Sequence, residues 1–166
     1  MKHSIRMILF ILVQGLIFGQ LDFGYGIHPM VYPLFIILLP FEINIFLLIL
    51  IAFFTGIGVD FFMNTFGLHA SAALLVAYLR PIIFNYFSPR DGYDSFKEPT
   101  INSLGYAWFF KVAGILILIH HTWFFILEYF KSSLWTEIIL NTFLSSVVSL
   151  FLFILIQIFF FKRSKI

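Results

Sequence analysis

The sequence predicts an all-α polytopic membrane protein, a single transmembrane domain of about six helices over residues 1–166. The composition is the first reason: 61% of the residues are hydrophobic and only 11% are charged, whereas a soluble domain carries about 25% charged residues. The second reason is placement, because the apolar residues form long runs and the charges cluster between them. That arrangement leaves too little polar surface for a soluble globule of this size.

The predicted spans follow from the length of the apolar runs, since a helical span needs roughly 20 mostly apolar residues. The spans cover residues 4–19, 29–39, 41–62, 67–87, 104–127 and 134–161. The second is too short to cross a ~30 Å hydrocarbon core as a regular helix, so we expect it to be buried among its neighbours or re-entrant. The stretch 88–103 holds two prolines, a glycine and five charges, and we expect a cytoplasmic loop there.

Positive charges predict the orientation, because cytoplasmic loops carry the excess of Lys and Arg. With six spans, nine of the ten basic residues lie on one side or near it, and Lys131 alone lies on the other. The nine are Lys2, Arg6, Arg80, Arg90, Lys97, Lys111, Lys162, Arg163 and Lys165. The sequence therefore predicts a multi-pass protein of the bacterial cytoplasmic membrane with both termini inside. We expect the first apolar run to be retained, because no small-x-small cleavage site follows it.

Asp60 and His69 are the first candidates for a functional site, since inserting an ionisable residue in a span costs ~2.5–3.5 kcal/mol. Asp60 ends the third span and His69 begins the fourth, so the short turn between them should bring the two together. They could form a proton or cation relay or a polar lock; an interfacial pair that caps helix ends is the plainer interpretation. If the pair is a structural lock, Asp60→Asn should keep function and Asp60→Leu should impair folding.

Glu42 and Arg80 are the second candidates, because they fall at similar depth in the antiparallel third and fourth spans. An ion pair between them would satisfy both charges. Snorkelling of Arg80 to the headgroups is an equal alternative. Pro81 should kink the helix or loosen its hydrogen bonding, and such a site can also be a docking notch.

The fifth span carries the remaining candidates. Lys111 shares a predicted face with Gly114, Leu118 and His121 and lies near enough to the cytoplasm to snorkel. His120 and His121 are adjacent, so they point about 100° apart and make a poor pair of metal ligands; their role stays open. The chain has no cysteine and no hydrolase or intramembrane-protease motif, so we expect no metal, no cofactor, no catalytic site and no nucleic-acid partner.

Small residues at helical spacing indicate close helix packing, because lipid supplies no hydrophobic drive between helices. The pairs are Gly15 with Gly19, Ala52 with Gly56, Gly67 with Ser71, Ala73 with Ala77, and Ser145 with Ser149. We expect most of them to serve intramolecular packing. Those of the first and sixth spans could also present small faces to partner proteins.

The run GIGVDFFMNTFGLHASAALLVAYLRP, residues 56–81, resembles the core signature of the MreD family of the bacterial rod-shape system. That signature joins a Gly-x-x-x-Asp segment to a Gly-Leu-His-Ala helix start and a later Tyr. The matching residues here are Gly56, Asp60, Gly67, Leu68, His69, Ala70 and Tyr78. The Arg80–Pro81 step and the later PRDGYD segment resemble Bacteroidota-type members.

The resemblance implies a non-catalytic subunit of the peptidoglycan elongation machinery. Its expected partners are an MreC-like protein and, through it, MreB, RodA and a class B penicillin-binding transpeptidase, with helices and the region 80–97 gripping the partner. The family is also similar in fold to the substrate-binding subunits of energy-coupling-factor transporters. That similarity implies an alternative, a small-molecule-binding membrane transporter subunit, although the sequence offers no evident polar cluster large enough to line a ligand cavity.

Overall fold

The computed structural model describes residues 2–21, 23–24, 26–94, 98–130 and 134–161. The regular structure within these ranges is helical. The helices are α1 (Lys2–Leu12), which continues as a π-helical turn (Val13–Phe18), α2 (Tyr32–Ile37), α3 (Ile45–Met63), α4 (Leu68–Tyr86), α5 (Ile101–Leu104), α6 (Tyr106–Tyr129) and α7 (Trp135–Phe160). Four of them, α3, α4, α6 and α7, are long and apolar enough to cross a membrane. The chain is therefore an all-α membrane protein.

α3 and α4 form an antiparallel hairpin that approaches very closely at one point. A Cβ added at Gly56 would lie 2.3 Å from the Cα of Ala70, so only glycine permits this contact. The turn between the helices uses left-handed backbone, with φ of 55° at Asn64 and 93° at Gly67. Glycine adopts that conformation at no steric cost, and the close hairpin follows from these two glycines.

α2 occupies the centre of the molecule. All six of its residues are buried, and it contacts α1, α3, α4 and α6. The predicted second span is thus a short helix buried among its neighbours, which was one of the two alternatives. Its backbone ends lie inside the protein and need partners there.

The remaining helices pack in sequence around that centre. α6 lies between α4 and α7, while α1 packs against α2 and α3. The small residues in α1 and α3 serve these contacts: Gly15, in the π turn, would place a Cβ 2.4 Å from the Cβ of Phe62. The pairing of the first span with α3 is therefore intramolecular.

The bundle has two ends, which we call the Asp60 end and the Arg80 end after these residues of α3 and α4. The two termini of the described chain meet at the Arg80 end, where the Asn102 amide donates to the Phe161 carbonyl and the Arg6 guanidinium lies 4.8 Å from the Phe161 ring centre. The described basic residues Lys2, Arg6, Arg80, Arg90 and Lys111 belong to this half of the molecule. Lys97, Lys131, Lys162, Arg163 and Lys165 lie outside the described residues.

Several local expectations differ from the structure. α3 begins at Ile45, four residues later than predicted, because the Asn44 side chain accepts the Phe46 N–H and caps the helix there. The fourth span, in contrast, agrees with the prediction, since α4 continues through Pro81 to Tyr86. The predicted loop 88–103 contains the start of α5, whose first residue is Ile101.

Candidate functional site

Asp60 supplies the N-terminal cap of α4 from the end of α3. Its carboxylate accepts the backbone N–H groups of His69 at 3.0 Å and Ala70 at 2.9 Å, and the Thr65 hydroxyl at 2.5 Å. The first turn of a helix leaves such N–H groups without partners, and Gly67 at the cap position has no side chain to satisfy them. A negative charge is also favourable at the positive end of the α4 dipole. Asp60 and His69 meet, as the short hairpin between them predicts.

His69 is fully buried beside this cap. Its Nδ1 lies 3.0 Å from the Asp60 carboxylate, and because a carboxylate only accepts, Nδ1 carries a proton. The ring packs 4.7 Å from the Phe124 ring, measured between centres. Its Nε2 has no hydrogen-bond partner among the described residues.

Tyr32 extends this polar cluster from α2 to α6. Its hydroxyl lies 3.0 Å from the His69 carbonyl oxygen and 2.5 Å from Nε2 of His120. Because the carbonyl only accepts, the hydroxyl donates to it and His120 donates to the hydroxyl oxygen. Asp60, His69, Tyr32 and His120 therefore join α3, α4, α2 and α6 in one buried network.

His121 serves a different contact from its neighbour His120. Its Nδ1 donates to the Ile117 carbonyl at 2.9 Å, so its Nε2, 3.3 Å from the Ser149 hydroxyl, is the acceptor of that bond. The Ser149 oxygen in turn accepts the Met30 N–H at 2.9 Å. Burial differs along the predicted common face of α6, because Lys111 and Leu118 are exposed whereas His121 is buried.

The backbone before α2 is held by side chains of the π turn and α7. The Ser145 oxygen accepts the His28 N–H at 3.0 Å. Gln14 makes two bonds: its carbonyl accepts the Val31 N–H at 2.7 Å and its amide donates to the Pro29 carbonyl at 3.2 Å. The idea that Ser145 and Ser149 present a face to partner proteins is therefore wrong, since both are buried against this segment.

Arg80 holds the other side of α2. Its guanidinium donates to the carbonyl oxygens of Ile37, the last residue of α2, and of Leu39 and Pro40, which follow the helix. The side chain is 1% exposed, and its Cζ lies 4.3 Å from the centre of the Phe84 ring. Snorkelling of Arg80 is therefore wrong, and so is its use as a docking notch, because the guanidinium is buried and engaged within the chain.

Most of the other predicted residues are exposed. Glu42 lies in the turn before α3, whose first residue is Ile45, and its side chain is exposed whereas Arg80 is buried. Tyr78 is 58% exposed on α4, away from the corner that Gly56, Asp60 and Ala70 form. Leu68 is half-buried and Pro81 is exposed.

Sequence reasoning missed Gln14 and Tyr32, and it misassigned the serines of α7. Gln14 is a polar residue within an apolar run, and Ser145, Ser149 and Gln157 repeat at helical spacing on α7. That signal could have indicated an internal polar face. Nothing in the sequence indicates that the partners of Gln14, Ser145 and Ser149 are backbone groups of residues 28–31.

A cavity of about 340 Å³ opens at the Asp60 end. Its lining includes the polar side chains of Gln14, Gln20, His28, Thr65 and Glu128, together with Phe124. Thr65 and Phe124 also contact His69, so the cavity borders the buried network. The expectation that no polar cluster could line a cavity is wrong.

Comparison with known proteins leaves the family open: no family model matches the chain, and no curated protein or solved structure is detectably similar to it. The likeness to the MreD signature thus rests on residues 56–81 and stays a prediction.

Proposed function

We propose that the chain is a non-catalytic subunit of the peptidoglycan elongation complex that binds an MreC-like protein and helps to maintain rod shape. The observation that supports this proposal is the corner between α3 and α4. The residues that resemble the MreD signature there close a helix contact (Gly56, Ala70), make the turn (Gly67) and cap a helix (Asp60). All of these are structural roles, as expected for a subunit that acts as a scaffold. MreB, RodA and the transpeptidase would be reached through the MreC-like partner.

The proposed topology has six passes with both termini in the bacterial cytoplasm. The helix formed by α1 and the π turn, residues 2–18, would span about 25 Å, and the segment around α2 would supply a second, irregular pass. Both termini of the described chain and its described basic residues lie at the Arg80 end, which supports a cytoplasmic Arg80 end. Irregular backbone at membrane depth is tolerated where protein buries it, as it does around α2.

Depletion in the native host tests the cellular role. Cells that lose the protein should become round, and affinity purification from cells that carry it should recover the MreC-like protein. Asp60→Leu should fail to restore rods, whereas the matched variant Gly114→Ala, which meets only the Leu150 side chain at 3.9 Å, should restore them. Rod-shaped depleted cells together with a purification free of MreC-like protein would contradict the proposal.

A second candidate function is a small-molecule-binding transporter subunit, with the fold of energy-coupling-factor substrate-binding subunits. The cavity at the Asp60 end favours it, because about 340 Å³ falls within the usual range of roughly 300–1,000 Å³ for ligand pockets. A thermal-stabilisation screen with vitamins and metal ions tests it, and Glu128→Gln should weaken any hit. A blank screen would reject this candidate.

A further inference from the structure

A crevice of about 430 Å³ separates α1 from α7. α1 packs against α2 and α3, and α7 packs against α6, so the two helices face each other across this opening. The walls are almost entirely apolar, with Leu9 and Val13 on one side and Leu152 and Leu155 on the other. The crevice is partly open to the surroundings of the bundle, since its lining residues Leu9 and Phe160 are exposed.

One end of the crevice is basic. Arg6 lines it at the Arg80 end, and Lys2 stands one helical turn before Arg6 on the same face of α1. Each donates to Glu98 at 2.8 Å, which leaves most of the donors of both side chains available. Two cations against one carboxylate give this end a net positive charge among the described residues.

The dimensions suit a lipid chain. Leu152 and Phe160 line the crevice on α7, and the eight residues of rise between them amount to about 12 Å. One leaflet of the hydrocarbon core is about 15 Å thick. A partner transmembrane helix is about 10 Å across and spans both leaflets, so it fits this narrow, one-leaflet opening poorly.

We infer that the crevice binds an anionic phospholipid. One acyl chain lies between Leu9, Val13, Leu152 and Leu155, and the phosphate of the headgroup accepts hydrogen bonds from Arg6 and Lys2. Basic pockets between membrane helices bind anionic headgroups in this way. The site is independent of the proposed function, because it involves neither the α3–α4 corner nor an MreC-like partner.

The test uses the purified, delipidated full chain, titrated with phosphatidylglycerol or with phosphatidylcholine of the same chain length and followed by native mass spectrometry. The wild type should bind phosphatidylglycerol in preference. Removing one cation by Arg6→Gln should weaken phosphatidylglycerol binding by about fivefold. Phosphatidylcholine binding should fall by less, because its choline ammonium already balances the charge of the phosphate. Glu98→Gln should strengthen phosphatidylglycerol binding, because it frees both cations.

A matched pair of variants tests the acyl-chain site. Leu155→Trp fills the crevice and should reduce lipid retention to background, whereas Ile158→Trp, at a 53% exposed position outside the lining, should not. Equal retention of the two lipids by the wild type overturns the inference, and that measurement needs no variant. Equal retention by the Trp variants, or recovery of a partner helix cross-linked into the crevice, overturns it as well.

Discussion

The two sides of the buried segment around α2 are held in opposite ways. At the Asp60 end, its N–H groups are accepted by several neutral side chains, Gln14, Ser145 and Ser149, from two different helical segments. At the Arg80 end, its carbonyl groups converge on the single guanidinium of Arg80. The hydrogen bonds at the Asp60 end are thus distributed over three side chains, whereas those at the Arg80 end depend on one.

Elementary hydrogen-bond chemistry explains the difference. The last turn of a helix leaves carbonyl groups without partners, whereas the irregular backbone of residues 28–31 leaves mainly N–H groups, and the Pro29 carbonyl, to be satisfied by side chains. Donors can be satisfied by any side-chain oxygen, so small hydroxyl and amide groups suffice. Several neighbouring carbonyls need several donors at once, and Arg carries five in one rigid fork. The Arg80 end should therefore be the more sensitive to single substitutions.

Arg80→Met should give the largest loss. It removes the donor of two buried carbonyl oxygens and of one partly buried carbonyl oxygen. Each buried group left unpaired costs about 1–3 kcal/mol, so we expect the free energy of unfolding to fall by roughly 3 kcal/mol or more. Unfolding in detergent measures it, with Lys111→Met, at an exposed position of α6, as the control. The stability of Arg80→Lys should lie between those of Arg80→Met and the control. An Arg80→Met protein as stable as the control would show that the Arg80 end is not the more sensitive one.

Asp60→Leu comes next, since it strips the N–H groups of His69 and Ala70 of their acceptor. We expect a loss of about 3 kcal/mol. Asp60→Asn should be intermediate, because an amide keeps one acceptor oxygen but turns an NH₂ group toward one of the two N–H groups. This revises the sequence-based expectation of a nearly intact Asn variant. A normally stable Asp60→Asn protein that no longer recovers the MreC-like partner would indicate a charge-dependent role.

Gly56→Ala tests the packing behind the same corner. The added methyl would overlap the Ala70 backbone at 2.3 Å, and overpacking of this kind costs about 1–3 kcal/mol. In Gly114→Ala the nearest atom is 3.9 Å away, so that variant should be neutral or gain up to about 1 kcal/mol from helix propensity. Melting temperatures that agree for the two variants would disprove the close contact.

Ser145→Ala and Ser149→Ala each remove one side-chain acceptor at the Asp60 end, for the N–H groups of His28 and Met30 respectively. We expect about 1 kcal/mol for each, less than for Arg80→Met, with unfolding measured under the same conditions. The double variant should cost more than either single one. If one serine variant lost as much stability as Arg80→Met, the hydrogen bonds at the Asp60 end would not be distributed over several side chains.

The smallest effect concerns Glu98 outside the membrane-spanning helices. Partial burial alone would raise the pKa of its carboxyl, but the hydrogen bonds from Lys2 and Arg6 outweigh it and hold this pKa below its usual value. The ion pairs therefore stabilise the folded state at neutral pH, and this contribution is lost as the pH falls through the lowered pKa. We expect less than about 1 kcal/mol for a partly exposed pair. Melting temperatures of wild type and Glu98→Gln should converge at acid pH, and a constant difference would contradict this.

The sequence predicts the long helices well because each is a long, mostly apolar run. It predicts the Asp60–His69 contact because the two residues are only nine positions apart across one turn. Both are local features. The partners of Arg80 could not be predicted in the same way. From sequence, one expects a buried cation to pair with a carboxylate such as that of Glu42. The guanidinium instead binds backbone carbonyls about forty residues away. Every residue has a backbone carbonyl, so the sequence does not indicate which of them will be the acceptors.

The Tyr32–His120 bond and the hydrogen bonds from residues 28 and 30 to α7 could not be predicted either, because they too depend on long-range packing. They join residues separated by 88 and up to 119 positions, and their register depends on how the helices rotate against one another. Hydrophobic periodicity gives little help here, since helices apolar on every side carry no preferred face.

The buried segment around α2 also constrains how the protein is made. A six-residue helix is far shorter than the roughly 20 residues of an ordinary membrane span, so it has little tendency to insert by itself. The acceptors for His28 and Met30 are on α7, 117 and 119 residues later, and Arg80 is also synthesised after it. We therefore expect this segment to reach its final place only after α7 has been synthesised, so chains truncated before α7 should lack these acceptors and become substrates for membrane proteolysis.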